Sequence, residues 1–275
     1  RRLSSAASDV YKRQAFNIGR KVVSDPHWVD TINLYRSGSL ASKPILSSEA
    51  LSLIDSISPD DELRKILEHR TQELIEYQNL SYAKEYMSFV ENIFEKEQKT
   101  RSSSELSQNV AKYLFKLMAT KDEYEVARLS LKAELDSAIN KEFGKSAKIS
   151  YMLHPPFLKA MENIPILNML PGVKSKLALG SWFKVFYVML KNMKFLRGTP
   201  FDFMAWFSND VRKADRKALN HYKSILSNNI DEIGNGKYQD LKEFSILPDI
   251  IRGYEEVRLE TMDEFYLKSN NLFKS

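Results

Sequence analysis

The sequence predicts a mainly α protein, an irregular multi-helix domain with a short β element around residues 149–153. Three observations lead there. From Pro59 to Gln98 there is no Gly and no further Pro, and apolar residues recur at helical spacing. Capping residues stand ahead of several such runs. Gly and Pro gather instead in one middle stretch, Phe143 to Ser181.

The elements follow in chain order. Asp25-Pro26 places a capping residue ahead of a proline at the first helical position, and Ser58-Pro59 repeats this with Asp61 three residues on. The run after Pro59 carries Leu63, Ile66, Leu67, Leu74, Ile75, Leu80, Ala83, Tyr86, Val90 and Ile93 on one face, as one long helix or two in line. Ser102–Glu105 reads as a capping box for a helix whose apolar face is Leu106, Val110, Leu114, Leu117 and Met118. Thr120–Glu123 reads as a second box, followed by Tyr124, Ala127 and Leu131. In the middle stretch Ile149–Leu153 is the strand candidate, because Pro155-Pro156 forbids further ladder donors. Later helices are expected at Trp182–Phe195, at Val211–Ile233 with Ser208 as its cap, at Tyr238–Phe244 and at Tyr254–Phe273.

The chain has 275 residues and a formal net charge of +5. Hydrophobic residues at 43% supply a core and exclude disorder over most of the length. Zero cysteine excludes disulfides, thiolate zinc and cysteine nucleophiles in this chain, and cysteine-ligated iron–sulfur clusters with them. The most apolar run, Trp182–Leu190, is broken by Lys184 and too short for the ~20 residues of a membrane span, so no membrane partner is expected. Arg1, Arg2, Lys12 and Arg13 against Asp9 account for much of the charge, and setting these four cations and one acid aside leaves +2. No basic stripe remains, so nucleic acid is not an expected partner. The opening RRLSSAASDVYKRQ lacks the apolar region of a signal peptide and looks like translated adapter sequence. Natural sequence is then expected from about Ala15, and the chain is expected to be cytoplasmic and the C-terminal piece of something longer.

The sequence carries few recognisable chemical motifs. No P-loop, no Gly-x-Ser-x-Gly elbow and no zincin spacing occurs, and Gly234 and Gly236 read as a helix-ending turn. The Gly-Asp-Gly of a thiamine diphosphate site is absent too. His27, His69 and His221 read as ordinary surface or hydrogen-bonded side chains; His154, at a strand end before a rigid loop, is the histidine candidate. Lys121, Asp122, Glu123, Glu125 and Arg128 sit close enough on a helix to form a structural ion-pair network. Neither a catalytic residue nor a metal ligand is expected.

Four segments carry a likeness: KYLFKLMATKDEYEVARL at 112–129, KISYMLHPPFL at 148–158, LRGTPFD at 196–202 and IRGYEEVR at 251–258. In that order they resemble the C-terminal helical domain of the indolepyruvate ferredoxin oxidoreductase family, in its single-chain fused form. FNIGRKVVSDPHWVD at 16–30 is similar to the end of the preceding gamma-type domain. After the adapter-like 1–14, the resemblance implies a gamma-type tail at 15–36 and a helical domain at 37–275, which contains the Gly- and Pro-bearing middle at 143–181. It implies an enzyme that oxidatively decarboxylates aryl pyruvates to acyl-coenzyme A. Thiamine diphosphate, Mg, an iron–sulfur cluster and coenzyme A would serve the full-length enzyme, and none is implied for this fragment. Partners would be the upstream catalytic domains, ferredoxin and further copies of the chain. Arg197, Arg252 and His154 are the candidates for touching a ligand; for both arginines tying down helix ends is the favoured reading. The chain departs from the family pattern at Met152 and His154, at Glu255-Glu256 and at Ser181, between Gly180 and Trp182. The alternative is a free-standing helical interaction module; a hydrolase using His154 would need a nucleophile that the sequence does not offer.

Overall fold

The computed structural model describes residues 16–25, 45–133, 135–137, 140, 144, 151–153, 177–202, 204–205, 209–253 and 255–273. The chain divides into two compact units, Arg1–Ile45 and Leu46–Ser275. In the first, residues 16–24 form helix α1, closed by a backbone bond from Asp25 to Lys21. Pro26, and with it the expected helix start there, lies outside the described residues.

The second unit is mainly α. Its helices are α2 (Ser48–Ile57), α3 (Asp61–Tyr77), α4 (Leu80–Thr100), α5 (Glu105–Met118) and α6 (Glu123–Ser130). They continue as α7 (Lys184–Asn192), α8 (Asn209–Asn229), α9 (Tyr238–Ile246) and α10 (Glu255–Leu272). The short β element is present: β1 (Tyr151–Leu153) pairs antiparallel with β2 (Leu177–Leu179), Tyr151 opposite Leu179. No helix among the described residues is long and apolar enough to cross a membrane.

The run after Pro59 is two helices, and they are not in line. Asn79 adopts extended backbone and its side chain accepts from Tyr82 N, capping α4 and reversing the chain. The pair then packs face to face, with buried Thr71 Oγ1 3.0 Å from Met87 Sδ. A polar residue that competes for backbone donors ends α3 here, with no Gly or Pro needed. α5 packs on both helices, and its inner face is the expected one. Leu63, Leu67, Leu74, Val90, Ile93, Leu106, Val110 and Leu114 are all fully buried. Each such side chain contributes about 2 kcal/mol of transfer free energy. α8, α9 and α10 complete this core with Tyr222, Leu226, Phe244 and Phe265. Tyr86 and Tyr222 reach across it, donating to the carbonyls of Ala111 and Ser245, each at 2.8 Å.

The capping expectations need correction at three helices. Ser58 closes α2 in the left-handed region at φ 50°, and Asp60 caps α3, accepting from Leu63 N at 2.8 Å. Asp122, rather than Thr120, caps α6 by accepting from Glu125 N. The Ser102–Glu105 box does not form, and Ser104 at the start of α5 makes no side-chain cap bond. The carboxylate of Glu97, from the end of α4, does that work: it accepts from Leu106 N and Ser107 N at 2.9 and 2.8 Å, and from the Tyr238 hydroxyl at 3.0 Å. In each case a carboxylate outcompetes the hydroxyl of the expected Ser or Thr, because its charge suits the positive end of the helix. Ser208 lies outside the described residues.

A second, smaller core lies between α6 and α7, where Tyr124 and Ala127 meet Phe183, Tyr187 and Leu190. The Tyr151 ring stands edge-on to Tyr187 at 5.1 Å, joining β1 to this cluster. Gly236 closes the 3-10 turn Ile230–Asn235 at φ 94°, the helix-ending turn expected of the Gly234/Gly236 pair.

Candidate functional site

The densest polar chemistry gathers where α6 begins. Asp122 receives a fork from Arg197, with Nε to Oδ2 at 2.5 Å and Nη2 to Oδ1 at 2.9 Å. The remaining nitrogen of Arg197, Nη1, donates to the Tyr77 carbonyl and to Gln78 Oε1, both at 2.7 Å. Its guanidinium lies 3.8 Å over the Tyr77 ring. One side chain thus fastens the end of α3 to the start of α6. Burial pulls its pKa down, but Asp122 and Tyr77 outweigh that and hold it above the ordinary value.

Gly198, at φ 77°, lets the chain turn sharply after Arg197 and presents its N–H to Asp202 Oδ2 at 3.1 Å. Asp202 is 1% exposed. It also accepts from the Tyr124 hydroxyl at 2.9 Å and from Arg212 Nη1 at 3.0 Å. Asp202 also accepts from Ala205 N at 3.2 Å. Arg212 also binds Glu123, and burial nevertheless raises the Glu123 pKa. Nearby, Asp215 is raised by burial against the pull of Arg258, whose Nε is 2.8 Å away.

The other face of α6 carries a separate cluster. Arg128, 5% exposed, forks onto Glu125 at 2.9 and 2.8 Å and reaches Glu76 and Glu73 of α3, each at 2.5 Å. Lys132 closes on Glu73 at 2.5 Å. Burial raises the Glu73 pKa, but the bonds from Lys132 and Arg128 outweigh it and the net shift is down. Asp122 and Glu123 thus bind arginines beyond α7, Glu125 and Arg128 bind α3, and Lys121 is exposed in the loop before α6.

Beside Arg197 a cleft of about 310 Å³ opens between the α3–α4 turn and α8. Tyr77, Tyr82, Leu117, Met118 and Leu219 give it apolar walls, and Asp122, Arg197, Arg212, Asp215 and Arg216 line it with charge. Burial, then Asp122, pushes the Tyr77 hydroxyl up to about 12, so it stays protonated and within 3.3 Å of Thr120 Oγ1. Arg252 is elsewhere: 70% exposed, it binds the Asp249 carboxylate and carbonyl at 2.5 and 2.9 Å. His154 lies outside the described residues. The arrangement fits neither thiamine diphosphate nor an iron–sulfur cluster, since the cleft acids are bound to arginines and the chain has no cysteine.

The sequence alone did not single out Arg212, Asp215 or Asp202. Arg212 and Asp215 stand three apart on one helix, in line with Leu219, and that pattern was the available signal. Asp202 was in view within LRGTPFD, but its partners are distant in sequence.

No curated protein and no solved structure matches the chain. Residues 63–270 match the model of DUF6537, a family of unknown function, and the chain belongs to that family.

Proposed function

We propose that this chain is the C-terminal accessory domain of a thiamine-diphosphate-dependent 2-oxo acid ferredoxin oxidoreductase of the indolepyruvate type, cytoplasmic and packed against the catalytic domains upstream in the same polypeptide. Aryl pyruvates, coenzyme A and ferredoxin belong to that larger enzyme; the present chain stabilises it and carries none of its cofactors. The observation that carries this reading is a helix apolar on two faces. α7 buries Tyr187 and Leu190 against α6, while Val185, Val188 and Met189 on its other side stay exposed, with Trp182 just before the helix and Phe195 just after. Val185 is 77% and Trp182 66% exposed. A contiguous apolar surface of this kind marks a contact site. The quoted segments support a structural role as well: their charged residues Asp122, Arg197, Asp202 and Arg258 are occupied in holding helices together.

Sequencing the source DNA through the codon for Ala15 tests the reading first: a frame continuing into gamma-type and thiamine-binding domains is expected, and an upstream frame without them overturns it. Deleting residues 46–275 from the full-length enzyme should then abolish assembly or reduce 2-oxo acid oxidation at least tenfold. Unchanged oligomer size and rate would contradict the accessory role. The second reading, a free-standing helical interaction module, draws on the same exposed face of α7.

A further inference from the structure

We propose that the cleft between the α3–α4 turn and α8 binds a small organic oxyanion with a flat apolar body, and that Arg216 receives the anionic end. This rests on the cleft alone and stands whether or not the preceding reading holds. The volume, about 310 Å³, is at the lower end of the range for small-molecule pockets.

Its charges are not equivalent. Asp122 is neutralised by the fork from Arg197, and Asp215 by Arg258 at 2.7 Å. Arg212 is bound to Asp202 and Glu123. Arg216 also lines the cleft, is exposed, and has no hydrogen bond, ion pair or ring contact among the described residues. An entering anion therefore finds one guanidinium fork without a carboxylate, the geometry that suits a carboxylate or a phosphate monoester.

The rest of the wall is apolar and flat. The half-buried Tyr82 ring faces the cleft, backed at 6.1 Å by Tyr77, which is 3% exposed and covered by Arg197, and Leu117, Met118 and Leu219 complete the surface. Tyr82 is fixed by donating its hydroxyl to the Met118 carbonyl at 3.0 Å, so its ring is held in place before a ligand arrives. An aryl carboxylate and an aryl phosphate share the required chemistry: an oxyanion for Arg216 and a ring for Tyr82 and Leu219.

Calorimetric titration of the 275-residue chain with phenyl phosphate, benzoate and inorganic phosphate tests this. Saturable one-site binding of phenyl phosphate or benzoate is expected, and the tighter of the two identifies the headgroup. Inorganic phosphate should bind at least tenfold more weakly, for want of a ring. Arg216→Ala, which removes no hydrogen bond, ion pair or ring contact among the described residues, should weaken the aromatic anion at least tenfold, whereas Lys99→Ala at the far end of α4 should change nothing. Absence of saturable binding by both aromatic anions overturns the proposal. So does an Arg216→Ala affinity equal to wild type, an equal loss in Lys99→Ala, or inorganic phosphate binding as tightly as phenyl phosphate.

Discussion

The packing of α3, α4 and α5 and the attachment of α6 rest on different physics within one chain. In the first region Leu63, Leu74, Ile93 and Leu114 are fully buried, and the one buried carboxylate, Glu97, serves as a helix cap. In the second, α6 is held to α3 and to the turn after α7 by Arg197, Arg212 and Arg128, each bound to at least one carboxylate. Apolar packing tolerates small changes of shape, whereas a buried ion pair is unforgiving when one partner is lost. The comparison therefore predicts that the polar region is the more sensitive to single substitutions.

The largest effect is expected at Arg197→Ala, which leaves Asp122 with only the longer Arg212 pair at 3.9 Å and its cap bond, and removes the bonds to Tyr77 and Gln78. Urea denaturation should show a loss of about 4 kcal/mol, and Arg197→Lys should recover little, because an ammonium cannot make the fork. Glu97→Ala should cost about 3 kcal/mol by leaving the amides of Leu106 and Ser107 and the Tyr238 hydroxyl without an acceptor; Glu97→Gln should cost about 1 kcal/mol. Leu114→Ala should cost about 3 kcal/mol. An order in which Leu114→Ala clearly exceeds Arg197→Ala would break the comparison.

The helical framework was legible because it follows local rules. The Leu106–Val110–Leu114–Leu117 face is written at helical spacing, and its burial is as expected. The reversal at Asn79 was not legible, since nothing in a periodic run distinguishes a hairpin of helices from two in line until the facing surfaces meet. The caps were misplaced for a related reason: Ser58, Thr120 and Ser102 are credible caps locally, and the carboxylates of Asp60, Asp122 and Glu97 win by charge or by reach from another helix. The site was half legible. Asp122, Glu125, Arg128 and Arg197 could be picked out by residue type and spacing. Arg212 pairing with Asp202 and Glu123 crosses 10 and 89 residues, which no spacing rule covers.

Two smaller effects sharpen the picture. His221 is half-buried against the rings of Phe244, Phe265 and Tyr266 with Nε2 2.7 Å from Ser269 Oγ, and burial, then Lys217, lowers its pKa below the ordinary 6.5. The unfolded chain therefore binds the proton more readily. The resulting contribution is full above about pH 6.5 and is lost as pH falls from there through the folded-state value. His221→Gln should flatten the stability profile in that window, measured by urea midpoints; an unchanged slope would argue against it. Arg216→Ala, at an exposed residue with no hydrogen-bond or ion-pair partner among the described residues, should shift stability by no more than about 0.5 kcal/mol.

The central claim, that α6 is fastened through the Asp122–Arg197 pair, is tested most directly by a double-mutant cycle in urea. Asp122→Ala, Arg197→Ala and the double variant should reveal a coupling energy of about 2 to 3 kcal/mol. Additive effects, with coupling below about 0.5 kcal/mol, would contradict the account.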